Sequence, residues 1–99
     1  MIVAKSHEQF KDAVRDGLVF AYFTATWCGP CKAGSPVFEQ LQNVTLVKVD
    51  ADEGDEIFER YGISCIPTIQ VWKSGALVET VEGCPAKKLV EVYQTHTSR

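Results

Sequence analysis

The sequence lacks the features that would place the chain in a membrane or on nucleic acid. None of its apolar runs approaches the roughly 20 residues that a membrane-spanning helix requires. Basic residues are in the minority, because 10 lysines and arginines stand against 13 aspartates and glutamates and leave a net charge of −3. An excess of negative charge gives no attraction to phosphate groups, so neither nucleic acid nor an anionic membrane surface is expected as a partner.

The first residues lack the pattern of a secretory signal. Residues 1–8 hold neither a basic start nor a long apolar stretch. We therefore expect the protein in the cytoplasm, a reducing compartment in which structural disulfides are rare. There, the four cysteines are better explained as one redox-active pair and two thiols than as two structural disulfides.

Internal repeats, low-complexity stretches and linkers are also absent from the 99 residues. This length suffices for one hydrophobic core and is too short for two, so the sequence predicts a single domain spanning residues 1–99. Apolar residues make up 45% of the chain and charged residues 23%, as in an ordinary globular protein.

The spacing of apolar residues predicts strands and helices in the order βαβαβαββα. The apolar run Leu18–Phe23 is typical of a strand that is buried on both faces. The following helix is expected to begin at Cys28 or Gly29, to contain Pro36 and to end near residues 42–43. Two later segments alternate around a glycine-containing turn, as in an antiparallel hairpin. The order predicts an α/β fold, a central mixed β-sheet flanked by helices on both faces.

Cys28 and Cys31 are separated by two residues, at the predicted junction of a strand and a helix. A helix N-terminus offers unpaired backbone N–H groups and the positive end of a dipole, which stabilise a thiolate on Cys28. Cys31 follows about one helical turn later on the same side, so the two sulfurs can bond. The spacing therefore predicts reversible dithiol–disulfide chemistry.

The alternative for this pair is half of a zinc site, which needs two more ligands at suitable spacing. Cys65 and Cys84 are isolated in the sequence, and the two histidines, His7 and His96, stand near the chain ends. We therefore expect no metal at the cysteine pair, and no residue pattern indicates another cofactor.

A longer ordered set of residues resembles the thioredoxin family over nearly the whole chain. The set comprises residues 24–32 (Thr-Ala-Thr-Trp-Cys-Gly-Pro-Cys-Lys), Pro36, residues 47–50, 61–63 and 66–68, Gly75 and Gly83. The resemblance implies the thioredoxin fold, a cis Ile66–Pro67 peptide bond and the activity of a general protein-disulfide reductase. The alternative function is that of a thioredoxin-fold binding module whose redox turnover is incidental.

The resemblance also assigns roles to the cysteine pair. Cys28, nearer the helix terminus and the more exposed of the two, is expected to attack a disulfide in a partner protein. Cys31 would then attack Cys28 and release the reduced substrate. Gly29 and Pro30 would hold the turn between them, and a thioredoxin reductase would recycle the oxidised pair.

Four residues around the pair are expected to contact the substrate. Trp27 would form an apolar lid beside the sulfurs, with Asp52 able to accept a hydrogen bond from its indole N–H. The resemblance implies that Pro67 packs against the pair, that the backbone of Ile66 binds an extended substrate strand, and that Gly83 lies on the substrate-facing loop.

One buried position departs from the family pattern. Most thioredoxins carry an aspartate six residues before the first cysteine, where this chain has Tyr22. The lysine that often accompanies the aspartate is replaced by Leu46, so we expect no lysine to face Tyr22. In the family the carboxylate is thought to relay a proton for the second cysteine, and here that role is left to water, to the Cys28 leaving thiol or to the Tyr22 hydroxyl. Tyrosine, with a pKa of about 10, is a poor base at neutral pH.

The two remaining cysteines have two interpretations, as inert packing residues or as redox-regulatory thiols. Cys65 precedes Pro67 by two residues and Cys84 follows Gly83, so both are expected near the dithiol at the surface. An exposed Cys65 could link two molecules and convert a reduced monomer into a disulfide-linked dimer. An intramolecular Cys65–Cys84 bond is the competing expectation.

Overall fold

The computed structural model describes residues 1–98, and Arg99, the last residue of the predicted domain, lies outside them. The elements within these residues follow the predicted order. They are β1 (Ile2–Val3), α1 (His7–Val14), β2 (Leu18–Thr24), α2 (Gly29–Glu39), β3 (Thr45–Asp50), α3 (Asp55–Arg60), β4 (Thr68–Lys73), β5 (Ala76–Val81) and α4 (Ala86–Thr97).

The strands form one mixed sheet in the order β1-β3-β2-β4-β5, with β2 at its centre. Strands β1, β3 and β2 are parallel to one another, as expected of strands joined through helices. Strand β4 is antiparallel to β2, and β5 returns antiparallel to β4 as the predicted hairpin. The predicted mixed sheet is therefore confirmed.

Strand β2 is buried on both faces, as its apolar run predicted. Successive side chains of a strand point to opposite faces. Val19 and Phe23 accordingly lie in a core cluster that α1 and α3 complete. Phe20 and Tyr22 lie in a second cluster, formed with α2 and α4 on the other face. Helices therefore cover both faces of the sheet, and β2 ends directly beneath the start of α2.

Helix α2 begins as predicted and ends earlier than predicted. Cys28 is its N-cap and Pro36 lies inside it, but the predicted end at residues 42–43 is wrong. The backbone N–H of Gln40 bonds to the carbonyl of Val37, three residues back, at 3.2 Å, which tightens the last turn. Asn43 then adopts a left-handed φ of 66°, which does not continue a helix.

Tyr22 lies fully buried beneath α2. Its ring stacks on Phe38 with centroids 4.9 Å apart, and its hydroxyl has no hydrogen-bond partner among residues 1–98. The hydroxyl rests against Gly34, where a Cβ atom would overlap it. A glycine at position 34 therefore provides the space that the large side chain of Tyr22 needs.

Replacement of Gly34 by alanine tests this contact. We expect Gly34→Ala to lower the free energy of unfolding by about 1–3 kcal/mol, because the new methyl group overpacks a closed site. Tyr22→Phe removes a buried hydroxyl that has no hydrogen bond to lose, so it should leave stability unchanged or raise it. Combined with Tyr22→Phe, the Gly34→Ala change should cost less, as measured by denaturant titration of all four proteins.

The matched control is Gly29→Ala in the same helix, where an added Cβ meets nothing within 4 Å. Alanine has the higher propensity inside a helix, which favours Gly34→Ala over Gly29→Ala, so a loss of stability confined to Gly34→Ala reports the steric term. If Gly34→Ala costs the same with and without the Tyr22 hydroxyl, the contact does not limit the site.

Candidate active site

Cys28 lies at the N-terminus of α2, where the chain leaves β2. It is the N-cap residue, and its Sγ accepts a hydrogen bond from the backbone N–H of Cys31 at 3.3 Å. The two cysteines are joined by a disulfide, with Cα atoms 5.3 Å apart. The predicted junction of strand and helix therefore brings the two sulfurs together.

The two cysteines differ in exposure. Cys28 is 6% exposed and Cys31 2%, so the expectation that Cys28 is the more exposed is confirmed. An N–H group and the positive end of the helix dipole both point at the Cys28 sulfur. This arrangement favours the charged form of a thiolate at that position.

Trp27 covers the region beside the pair with a side chain that is 66% exposed. Its indole Nε1–H donates to Oδ2 of Asp52 at 3.2 Å, which confirms the predicted partner. Asp52 is held in turn, because its backbone N–H donates to Oδ1 of Asp50 at 2.8 Å. A large apolar surface is thus fixed in water next to Cys28.

The loop before β4 approaches the cysteine pair from the other side. The Ile66–Pro67 peptide bond is cis, as the resemblance implied. Ile66 packs against the small cluster that contains Cys28 and Cys31. The N–H of Cys84 donates to the carbonyl of Pro67 at 2.7 Å and so attaches the segment after the exposed Gly83 to this loop.

Comparison with known proteins decides the family. The family model named Thioredoxin matches residues 1–95. The chain belongs to the thioredoxin family. The thioredoxin of Bacillus subtilis is 40% identical over 101 aligned positions, which cover 96% of this chain and 97% of that protein. The thioredoxin of Chlamydia trachomatis is also 40% identical, with 97% of this chain and 99% of that protein covered.

Solved thioredoxin structures share the fold. The thioredoxin of Plasmodium falciparum superposes with a TM-score of 0.89 at 30% identity, over 98% of this chain and 100% of that one. The thioredoxin of Malassezia sympodialis gives a TM-score of 0.84 at 37% identity, over 99% of this chain and 92% of that one. The thioredoxin fold predicted from the resemblance is confirmed.

Family and geometry together establish the chemistry. Thioredoxins are thiol–disulfide oxidoreductases that act on protein disulfides, and this chain carries their disulfide-forming pair as Cys28 and Cys31. The predicted dithiol–disulfide reductase function is therefore confirmed. No helix within residues 1–98 combines the length and the hydrophobicity needed to cross a membrane.

Tyr22, which the resemblance matches to an aspartate of other thioredoxins, has its pKa raised to about 12 by burial, with the nearby Cys84 thiol as a smaller cause. Its hydroxyl therefore stays protonated at neutral pH and cannot accept a proton there.

The expectation that no lysine faces Tyr22 was wrong. Strand register places Lys48 opposite Tyr22, whereas Leu46 lies opposite Phe20.

Lys48 lies at a cleft between α2 and β3 that reaches Cys31. Its ammonium Nζ is 3.4 Å from Oε2 of Glu39. The cleft has a volume of about 270 Å³, and its wall is formed by residues 24–26, Cys31, Lys32, Ser35, Pro36, Glu39, Lys48 and Asp50. Ser35 and Glu39 were not among the residues predicted for the site, and Lys48 was noted only within residues 47–50 of the resemblance. For Ser35 and Glu39 the signal in the sequence was their spacing of four and eight residues from Cys31, which places Cys31, Ser35 and Glu39 on one face of a helix.

The two other cysteines differ from each other. Cys65 is exposed, as predicted. The expectation that Cys84 lies at the surface was wrong, because its side chain is fully buried in the cluster that contains Tyr22 and Leu89. Pro85 caps α4 and starts the helix directly after Cys84, so the thiol turns into the core. Burial raises the pKa of Cys84 to about 11, with smaller opposing contributions from charged neighbours.

The buried thiol of Cys84 makes stability depend on pH in the alkaline range. Its proton is lost near pH 9 in an unfolded chain and near pH 11 in the folded protein. The stabilising contribution is therefore complete below about pH 9 and is lost as the pH rises toward 11. In that window one such group lowers the free energy of unfolding by about 1.4 kcal/mol per pH unit. We expect Cys84→Ala to show a shallower alkaline decline in denaturant titrations.

Cys65→Ala is the control, because it removes an exposed thiol and should leave the alkaline decline of the wild type. Equal slopes in the wild type and Cys84→Ala would show that Cys84 ionises alike in the folded and unfolded chains.

Proposed function

We propose that Cys28 is the attacking thiol and Cys31 the resolving thiol in the reduction of partner-protein disulfides. The observation that carries this assignment is the Cys28 sulfur at the helix N-terminus, more exposed than Cys31 and bonded to a helix N–H. Both properties favour Cys28 as the nucleophile. The helix N–H stabilises the thiolate that attacks, and the greater exposure lets the substrate reach it.

The reaction has two exchange steps. The Cys28 thiolate attacks one sulfur of the substrate disulfide, that bond breaks, and the other substrate sulfur leaves as a thiolate. Cys31 loses its proton and attacks Cys28 in the resulting mixed disulfide. The bond between Cys28 and the substrate breaks, the second substrate thiolate leaves, and the Cys28–Cys31 disulfide remains. Two electrons pass from the protein to its substrate.

The substrate-binding surface is formed by Trp27, Ile66, Pro67 and Gly83. An exposed indole fixed by Asp52 and the half-buried Ile66 flank the cysteine pair, which suits an extended apolar segment around a disulfide. The Ile66 backbone pairs with this segment in our proposal.

The Gly-Pro pair supports the reactive turn. Gly29 and Pro30 are the first two residues of α2. A proline is tolerated there because its missing N–H would have no partner inside the helix.

A thioredoxin reductase supplies the electrons in our proposal, and the protein works in the cytoplasm as a single domain over residues 1–99. Support for the single domain comes from the relatives, which are thioredoxins of nearly the same length.

Trapping with single-cysteine variants tests the two roles. We expect Cys31→Ser to accumulate mixed disulfides with insulin and to lose turnover, because Cys28 attacks and is not released. Cys28→Ser should form none at this site. The measurement is non-reducing electrophoresis of alkylated samples, with wild-type insulin reduction followed in parallel. Both variants are made with Cys65→Ser, so that the exposed thiol does not contribute.

Trapping by Cys28→Ser alone would reverse the roles. Insulin reduction by the wild type should be faster when a thioredoxin reductase feeds the reaction than when glutathione does. A binding module would be supported by a different result. Insulin would then bind firmly to Cys31→Ser, and the wild type would not reduce insulin with either thioredoxin reductase or glutathione as electron donor.

Cys65 is proposed as a regulatory thiol. It is exposed and directly precedes Ile66, which packs at the cysteine pair. Two molecules that associate through the apolar surface around Trp27 would bring their Cys65 thiols together. Oxidation would then lock a dimer that covers Cys28, whereas the reduced protein is a monomer.

Oxidant should therefore produce a covalent dimer of low activity, restored by reductant, while Cys65→Ser stays monomeric on non-reducing gels. Cys84→Ser is the control and should still dimerise, because the buried Cys84 thiol is shielded from oxidant. Monomers in every lane, with Cys65 still free to alkylation, would leave it a packing residue.

A further inference from the structure

The proton of Cys31 has to leave before Cys31 can attack the mixed disulfide. A buried thiol at neutral pH is largely protonated, since an ordinary cysteine has a pKa of about 8.5 and burial disfavours the thiolate. Cys31 is 2% exposed. The second exchange step therefore depends on a group that takes this proton or on water that reaches it.

The side chain directly beneath α2 does not provide that group. The Tyr22 hydroxyl is neutral at physiological pH, as any tyrosine with a pKa of about 10 would be, and burial raises its pKa further, to about 12. A neutral phenol can donate a hydrogen bond and cannot act as the base. The proton must leave in another direction.

The cleft between α2 and β3 provides that direction. Cys31, Ser35 and Glu39 follow one another at intervals of four residues along its helical wall. At 1.5 Å per residue the helix advances about 12 Å from Cys31 to Glu39, and Ser35 lies halfway. Each gap of about 6 Å is one that a water molecule can bridge between polar groups. A cleft of about 270 Å³ has room for several waters.

The charges that face the cleft favour a proton acceptor at its outer end. Lys32 and Glu39 face it from α2, Lys48 and Asp50 from β3, and residues 24–26 at the end of β2 add no ionisable side chain. Asp50 stands at the start of the turn that follows β3, and its Oδ1 accepts the backbone N–H groups of Asp52 and Glu53. Glu39 carries the other carboxylate and lies on the same helical row as Cys31 and Ser35. The Lys48 ammonium Nζ is 3.4 Å from its Oε2 and positions it.

We propose that the proton of Cys31 leaves through this cleft, over water and the Ser35 hydroxyl, to the Glu39 carboxylate that Lys48 holds in place. The S–H bond of Cys31 breaks and Glu39 gains the proton, which then passes to solvent. The Cys31 thiolate attacks Cys28, and the departing substrate thiolate takes a proton from solvent. Glu39 acts on Cys31 only through water and Ser35, and Lys48 acts only through Glu39, so both are positioning residues for the second step. This assignment rests on the proposed roles of Cys28 and Cys31.

A chromophoric disulfide separates the two steps. Reduced protein carrying Cys65→Ser is mixed with dithiobis(nitrobenzoate) in a stopped-flow instrument. Attack by Cys28 releases one coloured thiolate at a rate that depends on reagent concentration. Attack by Cys31 releases the second at a rate that does not. The second phase therefore reports the step that needs the proton transfer.

We expect Glu39→Gln to slow the second phase about threefold to tenfold at neutral pH and to leave the first unchanged. This is less than general-base catalysis usually supplies, because the transfer runs through water. The slowed rate should rise with pH and approach the wild-type rate once the thiol ionises by itself. Added acetate should accelerate the second phase in Glu39→Ala more than in the wild type, and Glu39→Asp should keep the wild-type profile.

The matched control is Glu91→Gln, which removes a carboxylate paired with Lys88 at 3.9 Å and does not line the cleft. A wild-type second phase and pH profile in Glu39→Gln would overturn the proposal. So would equal slowing of both phases, or acetate that does not accelerate Glu39→Ala. If Cys31→Ser releases both coloured thiolates, the cysteine roles themselves fail. If it releases one and Glu39→Gln matches the wild type, the proton path alone fails.

Discussion

Strand β2 lies at the centre of the sheet, and its side chains are packed alternately into the clusters on the two faces. A register shift of one residue would exchange those two sets and drive the Tyr22 hydroxyl into the opposite core. The end of β2 is therefore fixed in space, and with it the first turn of α2. Because Cys28 caps that turn, the position of both sulfurs relative to the Ile66–Pro67 loop follows from how β2 is buried.

The electrostatics of the site separate into two directions. Along the axis of α2, the helix terminus and the N–H of Cys31 favour a thiolate on Cys28. Below the helix, the neutral Tyr22 hydroxyl adds no charge that would oppose that thiolate. A carboxylate in the same place would have repelled it and served as a nearby base. In the route that we propose, the charged groups Glu39 and Lys48 lie in the cleft between α2 and β3. The residues that stabilise the Cys28 thiolate are therefore different from those that deprotonate Cys31.

Features that depend on local spacing could be predicted from the sequence, whereas two features that depend on contacts between distant elements were predicted wrongly. The order of elements and the juxtaposition of Cys28 and Cys31 follow from periodicity and from a strand–helix junction, both within a few residues. The position of Lys48 opposite Tyr22 depends on the register between β2 and β3, which neither strand specifies alone. The burial of Cys84 depends on how α4 packs after its proline cap, and its position after a glycine gave no sign of it. The resemblance supplied the cis bond before Pro67, which residue statistics alone would not have indicated.

The two outer edges of the sheet differ in how much unpaired backbone they offer. At one edge, β1 has two residues, which is too short to template another strand. At the other edge, β5 has six residues, and Leu77 and Val78 on it are 43% and 50% exposed. Within residues 1–98 no strand pairs with the outer side of β5. Aggregation by strand addition would therefore begin at β5, where Glu79 and Thr80 are the only polar side chains along the strand.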